Sequence, residues 1–103
     1  MSPLHYTLLG TGGSHGIPSI GCKCSVCTSP EPKNNRRRCS LHLSCENTHI
    51  VIDTPPDFRE QVLTFALSQI DALFLTHAHA DHIMGFDDVR RFSHQHATGL
   101  PVY

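Results

Sequence analysis

The segment His77-Ala78-His79-Ala80-Asp81-His82 constrains this chain more than any other. Four side chains able to ligate a metal fall within six residues, directly after the apolar run Ile70 to Leu75, which has the length of a strand. His77 and His79 are two apart at a strand end, so they project to the same side, and the alanine between them leaves room for the imidazoles to converge. Asp81 and His82 are adjacent and face apart unless the chain turns. A turn would deliver them to a second ion beside the first. Imidazoles with a carboxylate suit zinc, manganese or iron. Two such ions roughly 3.5–4 Å apart activate water and polarise a phosphoryl or carbonyl oxygen. The bland alternative is a polar loop of surface histidines, but four ligand side chains at this spacing after an apolar strand favour metal.

Composition agrees. The chain has 103 residues, with nine histidines and five cysteines, both clustered. This length allows one domain at most, with a thin margin of buried surface. Hydrophobic residues are 39% and charged residues 17%, which excludes a charge-rich disordered chain. No apolar run approaches the ~18 residues of a membrane span, so no membrane partner is expected. The net charge of −1 gives no global field for nucleic acid, which is not expected as a partner. The N-terminus lacks a basic and then apolar leader, and the odd cysteine count argues against a disulfide framework. A reducing, cytoplasmic location is expected, where clustered cysteines point to metal.

Along the chain, Leu4 to Leu9 reads as a strand closed by Gly10-Thr11-Gly12-Gly13. Thr11 to Gly16 could cradle a phosphate with backbone N–H groups, although a simple turn is the plainer reading. Ser14 to Asn35 is aperiodic and too long for an ordinary loop. Ser40 to Cys45 alternates, with Leu41, Leu43 and Cys45 expected on the buried face. Ile50 to Ile52 returns as a second strand that ends at Asp53. Thr54-Pro55-Pro56-Asp57 reads as a helix start capped by Thr54, with Phe58, Val62, Phe65 and Ala66 on one face and an end near Ser68. Phe86 to Phe92 reads as a short helix, and Leu100 to Tyr103 as a beginning strand. Cys39 and Cys45 are expected as small buried residues. Lys33 and Arg36 to Arg38 form a small basic run, able to attract a phosphorylated substrate but more simply solvated. Arg59 and Arg90 are expected to pair with acids on their own helices, and His94 and His96 to be surface residues.

Cys22, Cys24 and Cys27 form C-x-C-x-x-C in the Gly/Pro-rich segment. Three thiolates this close suit one structural zinc, which takes four ligands in a tetrahedron. The ion would also order a loop that has no hydrophobic anchors. His15, Cys39 or water could supply the fourth ligand. Free thiols or a local disulfide are the alternatives.

Thr76 to His82 resembles the H-x-H-x-D-H signature of the metallo-β-lactamase-fold hydrolases. Leu9 to Ser14, Gly16-Ile17-Pro18, Gly21 to Cys27, Arg36 to Arg38, Ile52-Asp53-Thr54 and Pro56-Asp57-Phe58-Arg59 resemble the PhnP-like branch, which includes phosphoribosyl cyclic phosphate phosphodiesterases. The resemblance implies an α/β (α+β) fold, with residues 1–103 as the N-terminal half of a four-layer αββα sandwich and a cysteine-rich zinc loop at 21–39. It implies His77 and His79 as ligands of one divalent ion, zinc or manganese, and Asp81 and His82 as ligands of a second. Asp81 would also orient the nucleophile, and Asp53 would support the ligands. The relatives' cysteine site takes its fourth ligand from a histidine nearer the C-terminus. The resemblance further implies a small phosphorylated substrate, most specifically a cyclic phosphate. The remaining ligands would come from a second half, so this length alone is expected to be inactive, with a sheet face left for that half or for a second copy in a homodimer. A non-catalytic zinc-binding module is the alternative of a different class. Within the enzymes, a tRNA 3′-processing nuclease-like hydrolase shares the motif.

Overall fold

A computed structural model describes residues 2–103. Four strands form one mixed sheet in the order β1-β2-β3-β4. They are β1 (His5–Gly10), β2 (Ser40–Cys45), β3 (Thr48–Ile52) and β4 (Ala72–Phe74). β1 to β3 are antiparallel, and β4 lies parallel to β3 because α1 (Phe58–Phe65) carries the chain back between them. The Leu100–Tyr103 stretch begins the expected further strand. Val102 bridges Leu73 in parallel, and the Tyr103 N–H donates to the Leu73 carbonyl at 2.9 Å.

The core lies on one face of the sheet only. Val51 and Leu73 point down from the strands onto Phe58 of α1, Ile70, Val89 and Phe92. Fully burying each such side chain contributes about 1.5–3 kcal/mol. Phe86 to Ser93 is a 3-10 turn (Phe86–Val89) that runs into α3 (Arg90–Ser93), which matches the short helix expected there.

The expected face of β2 is reversed. Ser40 and His42 are buried, whereas Leu41, Leu43 and Cys45 are half-exposed. Polar groups on α1 and β3 explain the choice. Ser40 Oγ donates to the Asp53 carbonyl at 2.8 Å, and buried Gln61 of α1 donates to the Arg38 carbonyl at 2.7 Å. His42 Nε2 lies 3.0 Å from His49 Nδ1, so its polar atom is satisfied on burial. Register places Tyr6 opposite Leu43, Leu8 opposite Leu41, Leu41 opposite Ile52 and Ile52 opposite Phe74. The outer face is therefore an apolar stripe with no helix on it. Tyr6 is 71% exposed and Leu8 55%.

The dimensions agree with an uncovered face. The accessible surface is 6847 Å², against about 5,800 Å² for a compact chain of this mass. The radius of gyration is 14.7 Å, against about 13 Å for a globule of this length.

Other expectations also change. Thr54 does not cap α1: its hydroxyl is buried without a partner, and the residue before the helix is Asp57, whose side chain is turned away to Arg38. α1 stops at Phe65 because Ala66 takes a left-handed conformation, φ 53°, short of Ser68. Phe65 is exposed, and Gln61 takes its place on the inner face. Cys39 is exposed and Cys45 half-buried, because β2 turns that side outward. Arg59 pairs with Glu60 and Arg90 with Asp87, as expected. His94 is exposed, and His96 packs partly in, 2.7 Å from the Ile70 carbonyl.

Candidate metal centre

Strand direction gathers the chemistry at one edge. β1, β3 and β4 end there and β2 begins there, so the glycine turn, the basic run, Asp53 and the histidine motif share a single end of the sheet. Loops at strand C-terminal ends are where open α/β sheets place ligands.

The motif begins as a loop and ends as a helical turn. Residues 75–79 are irregular, and α2 (Ala80–Ile83) is one turn with His79 at its N-terminal boundary. That turn re-aims Asp81 and His82. Two backbone bonds dock it on the β3–α1 connection: Thr54 N–H donates to the His82 carbonyl at 2.9 Å, and Gly85 N–H to the Thr54 carbonyl at 2.9 Å. Gly85 is required there, since a Cβ would stand 2.0 Å from the Pro55 carbonyl oxygen.

Asp53 organises the ligand-bearing loop. It is 3% exposed and left-handed at φ 68°. Its carboxylate accepts from the Thr76 N–H at 2.8 Å, the Thr76 hydroxyl at 2.7 Å and His82 Nδ1 at 2.6 Å. Burial pushes the Asp53 pKa up, but these donors outweigh it and hold the carboxyl below its usual range. Because the Thr76 hydrogen goes to Asp53, the Thr76 oxygen accepts from His77 Nδ1, 2.9 Å away. One carboxylate thereby commits the Nδ1 protons of two histidines, His82 directly and His77 through Thr76. Both Nε2 atoms are left as lone-pair donors.

The side chains meet in pairs. His77 Nε2 lies 3.1 Å from His79 Nδ1, and His82 Nε2 lies 3.2 Å from Asp81 Oδ2. The His77 and His82 rings are 4.2 Å apart between centroids. With its Nδ1 proton held by Asp53, His82 presents a lone pair to a carboxylate. Two acceptors face each other, an arrangement that requires a proton or a cation between them.

The cysteines form the tighter cluster. The sulfurs of Cys22, Cys24 and Cys27 all lie within 4.8 Å of one another. A tetrahedral zinc with bonds near 2.3 Å sets its sulfurs about 3.8 Å apart, so the donor set fits that ion. Cys24 accepts from the Cys27 N–H at 3.4 Å, and this bond, with the neighbouring Cys22 thiol, lowers its pKa to about 7. Neither His15 nor Cys39 joins the cluster among the described residues.

The role of Thr76 and the need for Gly85 escaped the sequence reading. Thr76 precedes the motif, where threonine is ordinary in a strand end, and nothing in spacing marks its bond to Asp53. Gly85 gave no signal beyond its being a glycine after a helical turn.

The chain belongs to the beta-lactamase superfamily domain family, which matches residues 48–103. Its sheet and helices correspond to the N-terminal portion of the metallo-β-lactamase fold. It is similar to the crystal structure of a diphosphatase from the PhnP family, with 46% identity and a TM-score of 0.89, covering 97% of this chain and 40% of that one. It is also similar to an octanoyltransferase of Porphyromonas gingivalis, 45% identical over 84 residues, which are 81% of this chain and 17% of that protein. The zinc-bound PqqB of Methylobacterium extorquens shares the fold at 20% identity and a TM-score of 0.71, covering 95% of this chain and 44% of that one. The chain thus spans less than half of each of these proteins. No helix among the described residues is long and apolar enough to cross a membrane.

Proposed function

We propose that this chain supplies half of the active site of a metal-dependent hydrolase acting on a phosphoester or phosphoanhydride, most specifically a phosphodiesterase for a cyclic phosphate. The observation that carries this reading is the opposition of Asp81 Oδ2 and His82 Nε2 at 3.2 Å, with the His82 Nδ1 proton committed to Asp53. A divalent cation satisfies that pair. His77 and His79 would hold one ion, and Asp81 and His82 a second. Bound ions would supply Lewis acidity and a water activated at neutral pH.

The protein's own residues do the positioning. Asp53 fixes the imidazole tautomers, α2 turns Asp81 and His82 back toward His77, and Asp81 would orient the attacking water. The Cys22-Cys24-Cys27 cluster would take a structural zinc and order the segment around it. The apolar outer sheet face would receive the second layer of the sandwich, which would bring the remaining ligands, or else a second copy of the chain. The substrate class is supported by the similarity to a PhnP-family diphosphatase.

The test has two parts. Equilibrium dialysis of the chain with zinc or manganese should resolve two classes of site, and His77→Ala with Asp81→Ala should abolish one and spare the other. In a protein of the relatives' full length, either substitution should cut hydrolysis of a cyclic phosphodiester by more than the roughly 10–100-fold that follows loss of a ligand's supporting hydrogen bond. Metal binding confined to the cysteines even in a protein of the relatives' full length would favour the non-catalytic zinc module.

A further inference from the structure

We infer that the groove between α1 and α3 is a self-association surface, filled by the same surface of a second copy across a two-fold axis. None of its lining residues belongs to the histidine motif, the cysteine cluster or the outer sheet face. The inference therefore stands apart from the hydrolase reading and from any layer that covers the sheet.

The groove is preformed. It encloses about 370 Å³. Phe58 and Phe92, both buried, and Val62 and Leu67, both half-buried, give it an apolar floor. Its two walls are tied at both ends. The Phe58 and Phe92 rings stand 6.4 Å apart between centroids at one end, and Gln95 Nε2 donates to the Ser68 carbonyl at 2.7 Å at the other. Leu63 stands at the lip as a knob, 59% exposed. Moving that side chain out of water and onto an apolar floor is favourable, and its own floor lies behind it.

The charges at the rim select the occupant. Arg59 is paired with Glu60 at 2.6 Å, and Arg90 with Asp87 at 3.6 Å. Asp88 and Arg91 both line the groove, three residues apart on one helical stretch. They have the spacing of a helical ion pair, yet form none with each other or with any other described residue. An anionic ligand would satisfy Arg91 and be repelled by Asp88, and a cationic ligand would meet the reverse. A second copy satisfies both. A two-fold axis sets a patch against itself, so that each residue meets a counterpart and is met by it in return. Asp88 then faces the partner's Arg91, and Arg91 faces the partner's Asp88. The same axis seats Leu63 of each copy on the floor of the other. Such a contact closes on itself and gives a dimer, not a filament.

The experiment is sedimentation velocity of the chain from about 1 µM to about 1 mM, a range that registers weak and moderate association. It is run in a Leu8→Lys background, so that pairing through the outer sheet face does not mask the result. The expected species is a dimer. Leu63→Lys should weaken it about tenfold or more. Asp88→Arg should also weaken it about tenfold or more, because like charges then face each other. Asp88→Arg with Arg91→Asp should restore it to within about threefold, since the reversed pairs match again and the two substitutions are coupled. Thermal melts check that each variant is folded, and the double reversal decides the matter even where Leu63→Lys folds poorly. A monomer at every concentration would overturn the surface. So would a dimer that Leu63→Lys and Asp88→Arg leave intact, or a double reversal as weak as Asp88→Arg alone.

Discussion

Asp53 holds His82 Nδ1 at 2.6 Å from the end of a neighbouring strand, and in doing so it adopts a left-handed backbone at φ 68°. The two roles separate by substitution. Asn tolerates that conformation but replaces one carboxylate oxygen with an amide, whereas Ala bears the left-handed strain of about 1–2 kcal/mol. Asp53→Asn should weaken zinc or manganese affinity of the histidine site roughly 10–100-fold while losing less thermal stability than Asp53→Ala. Asp53→Ala should lose both. Calorimetric metal titration paired with thermal melts distinguishes them, and equal metal affinity in wild type and Asp53→Asn would remove Asp53 from the site.

Thr76 passes the influence of Asp53 on to His77. Thr76→Val keeps the shape of a strand residue but deletes the hydroxyl that accepts from His77 Nδ1 at 2.9 Å. Metal affinity should fall about tenfold or more, and Thr76→Ser should restore most of it. Failure of serine to rescue would show that packing, not the hydrogen bond, carries the effect.

At the cysteine cluster, a pKa of about 7 makes Cys24 substantially thiolate at neutral pH. In metal-free protein at pH 7, iodoacetamide should label Cys24 faster than Cys39, which is also exposed, and added zinc should protect Cys22, Cys24 and Cys27 together. Peptide mass spectrometry reads both outcomes. Labelling of Cys24 that zinc does not slow would argue for free thiols. Cys24→Ser should lose this zinc and leave the histidine site able to bind metal.

The His42–His49 pair on the inner face predicts a pH response. Burial, and next the neighbouring His49, hold the His42 pKa below its ordinary value. The unfolded chain, titrating near about 6.5, then binds the proton more readily than the folded one. The contribution is fully present above that value and is lost as pH falls from it toward the lower folded pKa. Urea midpoints should therefore drop between pH 7.5 and pH 5.5, and His42→Gln should shrink that drop. An identical drop in the variant would assign it to other groups.

The legible parts of this molecule were those with a period or a ligand code. β2 matches Ser40–Cys45 because alternation marks a strand regardless of which side is inside. The side itself was misread: hydrophobicity points Leu41 and Leu43 inward, yet Ser40 and His42 are the residues that find hydrogen-bond partners beneath the sheet. Local sequence cannot report which face the helices choose. Thr54 misled for a related reason. Its capping pattern was intact, but the segment is pulled toward α2 by the bond from the Thr54 N–H to the His82 carbonyl, a contact 28 residues away in sequence. Spacing alone put His77 and His79 on one side, whereas the approach of Asp81 to His82 depends on the α2 turn. The Asp53–Thr76 relay depends on β3 and β4 being parallel neighbours, which no motif encodes.

The outer sheet face turns substitution into a diagnostic of assembly. A lysine at Leu8, which is 55% exposed, replaces apolar surface that meets water in this chain, so it should be neutral or should improve solubility. Where another layer seals that face, the same lysine would be buried without a partner and would cost several kcal/mol. The sign of the stability change at Leu8, measured in the chain and then in any longer protein that contains it, therefore reports whether the sheet is capped.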